Sequence, residues 1–238
     1  MDKAIDINKA VKQHLEMEQF FAGFSPKGGP PDSQEADLVS IGDKKKQLEI
    51  IADEVCRCTK CDLVSTRTKA VPGEVNPDAR IMFIGEAPGA DEDAQGRPFV
   101  GRAGKLLDNI LAACGLKRGD VFIANILKCR PPGNRDPKAE EINSCLGYLQ
   151  RQIEIIEPEV IVALGAHAAK TLLESTKPIG QLRGHFHDYY TSIGKSLVKL
   201  MPTYHPAYLL RNYSQDNRRR VWEDMKKVLV ELDLPLPG

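Results

Sequence analysis

Four short apolar runs constrain this chain more than any other feature. They are Arg80-Ile81-Met82-Phe83-Ile84-Gly85, Val121-Phe122-Ile123-Ala124-Asn125-Ile126, Val160-Ile161-Val162-Ala163-Leu164-Gly165 and residues 197–201. None alternates apolar with polar, so each reads as a strand buried on both faces. Between them lie stretches of helical periodicity: about 43–57, with Leu48, Ile51, Ala52 and Val55 on one side; 105–113; and 136 to about 156, with Pro137 at the first helical position. Two more follow, at 166–174 and 214–232, and residues 183–190 read as an edge strand. Strands alternating with helices predict a three-layer α/β/α fold around a central, mainly parallel four-stranded sheet. Ahead of it, residues 2–21 read as an amphipathic helix, and 22–40, with Pro26, Gly28, Gly29, Pro30 and Pro31, as a linker. The expected division is an N-terminal helical extension over 1–40 and one domain over 41–238.

Charge and composition narrow the function classes. Lys and Arg number 33, as do Asp and Glu, so the net charge is zero over 238 residues. General affinity for polyanions is not expected, and any nucleic-acid role must come from local basic patches. No window approaches 18 uninterrupted apolar residues, so no membrane span is expected. The start Met1-Asp2-Lys3-Ala4-Ile5-Asp6 lacks the basic and then apolar stretches of a signal peptide, which makes reducing cytosol the expected compartment.

In that compartment six cysteines need a reason, because disulfides are disfavoured there. Cys58 and Cys61 form a Cys-x-x-Cys, while Cys129 and Cys145 stand alone. A zinc ribbon would normally show two such pairs, and four thiolates also suit an iron–sulfur cluster. Cys56 is a nearby rival ligand, and Cys114, at the end of an apolar helix, reads as a core thiol. Scattered buried thiols are the bland alternative.

In parallel α/β sheets, ligands bind beyond the carboxyl ends of the strands. The first strand is followed there by Gly85-Glu86-Ala87-Pro88-Gly89 and then Gly96-Arg97-Pro98-Phe99-Val100-Gly101. Such a loop is stiff and exposes backbone N–H groups, but it is neither a P-loop nor a dinucleotide fingerprint. The run Asp91-Glu92-Asp93 would repel a phosphate beside it. Phe99 is either a core anchor or a stacking platform. Asn125, near the end of the second strand, offers a donor and an acceptor that suit a nucleobase edge, or else it bonds a neighbouring loop. Lys128-Cys129-Arg130-Pro131-Pro132-Gly133-Asn134-Arg135 follows as a basic, proline-stiffened loop. His205, in Tyr204-His205-Pro206, stands where a catalytic imidazole would stand; His167, His185 and His187, each alone, carry little weight.

Together these residues resemble the family 4 uracil-DNA glycosylases, the iron–sulfur members of the uracil-DNA glycosylase superfamily. The resemblance runs from about Leu48 to Leu232 and rests on the two glycine-rich loops, Asn125 ahead of Lys128-Cys129-Arg130-Pro131-Pro132, and His205-Pro206, in that order. It implies excision of uracil from single- or double-stranded DNA after the nucleotide is flipped into a pocket. It implies a [4Fe–4S] cluster on Cys58, Cys61, Cys129 and Cys145, structural rather than redox-active in the cleavage. Phe99 would stack on the base, Asn125 read its edge, and His205 stabilise the leaving uracil anion, with Gly85, Glu86 and Ala87 helping to hold the base. The family 1 enzymes place a water-activating Asp where this chain has Ala87, so either Glu86 or Glu92 would orient the water here, or the reaction would rely mainly on leaving-group stabilisation. Lys128, Arg130, Arg135 and Arg211 would meet DNA phosphates, and Tyr208, Leu209 and Leu210 would wedge into the gap left by the flipped base. The working unit would be a monomer, away from membranes. The alternatives are a silent DNA-binding protein with the cluster as scaffold, a relative of different base choice, one that bonds covalently to the abasic sugar, and a zinc-dependent nucleotide hydrolase. The covalent branch needs a histidine-bearing loop after Gly101-Arg102, and no His lies between Glu92 and Leu127. The hydrolase would need a His, Asp and Glu metal set beside the cysteines.

Overall fold

The four apolar runs form one sheet in the computed structural model, which describes residues 41–191 and 197–237. The expected helix over 2–21 and linker over 22–40 lie outside the described residues. In chain order the elements are α1 (Ile41–Cys56), β1 (Glu74–Val75), β2 (Ile81–Gly85), α2 (Ala90–Gln95), α3 (Arg102–Ala113), β3 (Phe122–Asn125), α4 (Ala139–Ile156), β4 (Val160–Leu164) and α5 (Ala166–Leu172). Then come α6 (Ile179–Leu182), β5 (His187–Tyr190), β6 (Leu197–Thr203), α7 (Pro206–Arg211) and α8 (Gln215–Glu231).

The sheet order is β1-β3-β2-β4-β6-β5. The inner four strands are parallel, and the two edges pair antiparallel. The sheet therefore has six strands, four of them the parallel core that was expected. β1 is only two residues long and carries no apolar run, so it leaves no periodic signal. The expected edge strand over 183–190 is confined to β5, because α6 and its exit occupy the preceding residues. The long helix starts at Ala139 rather than beside Pro137. The Glu141 carboxylate accepts the Lys138 N–H at 2.8 Å, which fixes that start.

Alternate residues of each inner strand build two cores. Ile81, Phe83, Val160, Val162 and Met201 pack with Leu107 and Leu111 of α3 and Val221, Met225, Val228 and Leu229 of α8. Met82, Ile84, Ala124, Ile161, Ala163 and Leu200 pack with Leu149, Ile153 and Ile156 of α4 and Ala168, Ala169 and Leu172 of α5. Helices thus cover both faces, as continuously apolar strands require. A third core joins Ile51 and Val55 of α1 to Leu63, Leu127 and Tyr148. Among the described residues, no helix is long and apolar enough to cross a membrane.

Candidate active site

The carboxyl ends of the parallel strands open into a cleft of about 440 Å³. Glu86, Ala87 and Gly89 line it from the loop after β2, Asn125 from the end of β3, and His205 from the start of α7. Phe99, Glu92, Arg135, Tyr208 and Arg211 also reach it.

Close approach at the cleft floor depends on glycine. Gly85 sits opposite Asn125 across the β2–β3 ladder. A Cβ there would lie 2.4 Å from Asn125 Oδ1 and 2.6 Å from the Phe99 ring. Glycine at this position lets both side chains close over the strand end. Phe99 itself has φ +52°, a left-handed conformation that costs a residue with a side chain on the order of 1 kcal/mol. Arg118 holds it there by donating to the Phe99 carbonyl at 3.1 Å. Its ring centroid lies 5.6 Å from that of His205.

Asn125 is buried, and its Oδ1 has no hydrogen-bond partner. Such an orphan acceptor is rare in a folded protein and costs about 1–3 kcal/mol until something donates to it. His205 caps α7, and its Nδ1 accepts the Ala207 N–H at 3.0 Å. That bond fixes the tautomer with the proton on Nε2. Burial, and then the charge of Arg211, push the imidazole down to about 4, so it is neutral at physiological pH. The cleft therefore offers an acceptor at Asn125 and a neutral N–H donor at His205.

Three side chains make contacts other than those expected of them. Glu92 was expected as a water-orienting group, but its Oε1 accepts the N–H groups of Val100 and Gly101 at 2.9 Å each, and its Oε2 accepts that of Gly89 at 3.1 Å. It clips the two glycine-rich loops together instead. Lys128 was expected to meet phosphate, yet it is 1% exposed and its Nζ donates to Gln152 Oε1 at 2.7 Å beneath α4. Burial pushes its ammonium down to about 8. Leu209 was expected as part of the wedge but packs into the core with α8, while Leu210 faces solvent, 46% exposed. The six-residue helix α7 turns alternate faces outward, which the linear sequence does not display. Arg130 donates to Asn134 Oδ1 at 2.8 Å, and Arg135 pairs with both oxygens of buried Glu141, so both also brace the loop they occupy.

The cysteines separate as the geometry dictates. Cys58, Cys61, Cys129 and Cys145 line one enclosed pocket with Arg67, Lys128 and Tyr148. Cys56 is exposed outside it, and Cys114 is buried in the α3–α8 core. Donors point at the sulfurs: Arg67 Nη1 lies 3.1 Å from Cys129 Sγ, and the Lys128 backbone N–H 3.2 Å from Cys145 Sγ. Burial pushes the Cys145 thiol up to about 11, so a free thiol there stays protonated.

With this cleft and pocket in place, comparison with known proteins is decisive. The family model of the uracil DNA glycosylase superfamily matches residues 72–226. The chain belongs to that superfamily. It is 49% identical over 185 residues to a type-4 uracil-DNA glycosylase of Thermotoga maritima, covering 77% of this chain and 94% of the relative. The corresponding enzyme of Saccharolobus solfataricus is 50% identical over 186 residues, covering 76% and 84%. That of Archaeoglobus fulgidus is 48% identical over 188 residues, covering 77% and 92%.

One member of the site escaped sequence reasoning. His167, at the start of α5, lines the cleft with its Nε2 at 3.6 Å from Asp136 and 4.0 Å from Glu86. Burial raises the Glu86 carboxyl, His167 and Arg211 pull it back down, and Asp136 pushes it further up. The available signal was position: His167 follows the carboxyl end of β4, as His205 follows β6.

Proposed function

We propose that this chain removes uracil from DNA by hydrolysing its N-glycosidic bond, leaving free uracil and an abasic site in the first step of base-excision repair. The observation that carries the assignment is the unpaired Asn125 Oδ1 at the cleft floor. The N3–H of uracil satisfies it, while the Asn125 amide donates to O4. Cytosine has no proton at N3 and an amino group at position 4, so it opposes both. Each mispaired group costs about 1–3 kcal/mol, which is enough to discriminate.

The rest of the cleft supports the bond cleavage. Phe99 stacks on the flipped base. As the bond from C1′ to N1 lengthens, its electron pair moves onto uracil and the sugar becomes oxocarbenium-like. The His205 Nε2–H donates to O2, where the charge collects, as a preorganised oxyanion donor. A neutral imidazole suits this work, because it stabilises the anion by a hydrogen bond without first having to take up a proton. Glu86, which follows directly on the end of β2 and is more buried than the other free carboxylate of the cleft, Asp136, orients the water that attacks C1′ and takes its proton. Arg211, with Arg130 and Arg135, faces the phosphates, and Leu210 with Tyr208 fills the gap in the stack.

Cys58, Cys61, Cys129 and Cys145 hold the [4Fe–4S] cluster in this proposal. Two features support the fit. Backbone and guanidinium donors already face the sulfurs. The sulfurs are also spread: among the described residues, the only three-residue set of potential ligands with all ligand atoms within 4.8 Å is Glu86, Asp136 and His167. A single zinc ion would draw thiolates to about 3.8 Å from one another. When bound, the cluster supplies a covalent cross-link between the Cys58–Cys61 turn, the loop after β3 and α4. A monomer in the cytoplasm is the proposed working state, since one chain encloses both the cleft and the thiol pocket, and reduced thiols need that compartment.

The test is incubation of the purified protein with single- and double-stranded oligonucleotides carrying one uracil, hypoxanthine or mismatched thymine, followed by alkali. Strand breaks at uracil are expected. If none of the three bases is released, the glycosylase assignment fails.

A further inference from the structure

Lys128 poses a problem that the cleavage reaction does not use. Its side chain is 1% exposed, yet no carboxylate meets it among the described residues. The ammonium donates only to the neutral Gln152 Oε1 at 2.7 Å, and Gln152 is itself held by donating to the Pro72 carbonyl at 2.9 Å. A buried ammonium without an anion carries a heavy desolvation penalty, and proteins keep one only where something nearby compensates. Lys128 lines the thiol pocket, and its own backbone N–H points at Cys145 Sγ. A second cation, Arg67, donates to Cys129 Sγ from the same pocket and is anchored by the Cys56 carbonyl at 2.8 Å.

We propose that Lys128 is the buried counter-charge of the anionic cluster held by Cys58, Cys61, Cys129 and Cys145, with Arg67, which donates to Cys129 Sγ, as a second cation. The inference rests on the cluster assignment above. Four thiolates around an iron–sulfur core of about two positive charges leave a net charge of about minus two. A fixed positive charge beside such a group holds it in the protein. It also favours the more reduced state, which carries one more negative charge, and so raises the reduction potential. The basic character of the Lys128-Cys129 pair, which on sequence suggests DNA contact, is turned inward.

The experiment compares the full-length holoprotein with two variants that remove the charge by different routes. Lys128→Met deletes the ammonium at similar volume. Gln152→Glu keeps the lysine and neutralises it with a near-isosteric carboxylate. Lys128→Arg serves as the control, since it changes the side chain's shape and keeps a positive charge. Iron per chain, the bleaching rate of absorption near 400 nm under a ferrous chelator, and the midpoint potential on an electrode are recorded. Lys128→Met and Gln152→Glu should bleach about 10-fold faster and shift the midpoint to more negative values. Lys128→Arg should leave the midpoint near that of the parent. Wild-type bleaching and midpoint in either charge-removing variant would overturn the proposal, and so would an equal shift in Lys128→Arg, which would make Lys128 a packing residue. A parent protein without iron would instead overturn the cluster assignment, so the two failures are distinguishable.

Discussion

The loop after β3 serves two sites built in opposite ways. Residues 127–129 line the thiol pocket, and Pro131, Asn134, Arg135 and Asp136 line the cleft. In the cleft, polar groups are left unsatisfied or uncharged: Asn125 Oδ1 has no partner, and His205 is held neutral. In the thiol pocket, the Arg67 guanidinium and the Lys128 backbone N–H already face two of the sulfurs, and the Lys128 side chain lies buried in the wall. A site that must bind, react and release its guest keeps its hydrogen-bonding capacity open. A site that holds a permanent group is charged to match it. The shared loop joins them, so a cluster held in the pocket, as proposed above, would set the position of one wall of the cleft.

If this contrast holds, substitutions in the cleft strike the chemical step and those in the pocket strike substrate engagement. The largest effect is expected at His205. His205→Ala should lower kcat on a single-stranded uracil substrate by about 100- to 1000-fold with little change in KM, because an anion-stabilising donor is lost. A loss under tenfold in single-turnover measurements would remove His205 from the chemistry. Asn125→Asp should cost about 10- to 100-fold toward uracil and make cytosine release measurable, since the carboxylate no longer offers the donor that selects O4. Full retention of uracil selectivity would rule out its reading role. Cys129→Ala should raise KM for DNA by about tenfold and lower thermal stability while sparing kcat at saturation. A kcat collapse with unchanged KM would erase the division between the two sites.

A smaller pair of effects separates neighbours in α7. Leu209→Ala should destabilise the fold by about 2–5 kcal/mol in denaturant titrations, as deletion of a buried leucine does. Leu210→Ala should leave stability within about 0.5 kcal/mol and selectively slow excision from duplex, relative to single-stranded, substrate. Equal duplex and single-strand rates in Leu210→Ala would remove it from the wedge.

These neighbours show what sequence could carry. The parallel core was legible because β2, β3, β4 and β6 each hold an apolar run, and Asn125 and His205 stood out because both lie at strand ends where such folds bind ligands. What stayed hidden depended on packing between distant segments. Lys128 reads as a basic surface residue until α4 brings Gln152 over it, 24 positions along the chain. Glu92 reads as a free carboxylate until Val100 and Gly101 fold back onto it. His167 gains meaning only when α5 sets it beside Glu86 and Asp136, and β1 is too short to leave a period.

The least effect is expected from pH near neutrality, and its sign follows from the cleft. His205 works as a neutral donor and takes up a proton only near pH 4, whereas an ordinary histidine does so near 6.5. Glu86 works as a carboxylate, and burial raises its protonation above the usual range, with His167 and Arg211 opposing and Asp136 adding to the rise. Excision should therefore be flat across pH 7–8 and fall on acidification, with Glu86 protonating before His205. Glu86→Gln should lower the plateau and move the remaining acid limb toward pH 4. The His205 contribution to stability changes in the same direction: between about pH 6.5 and 4 the unfolded chain protonates this imidazole and the folded chain does not, so that contribution is lost as pH falls through the window, whereas the raised Glu86 carboxyl contributes in the opposite sense. Circular dichroism at each pH separates unfolding from lost chemistry. A fall in kcat centred near pH 6.5 that persists in folded Glu86→Gln after His167→Gln is added would break the link between the burial of His205 and its role.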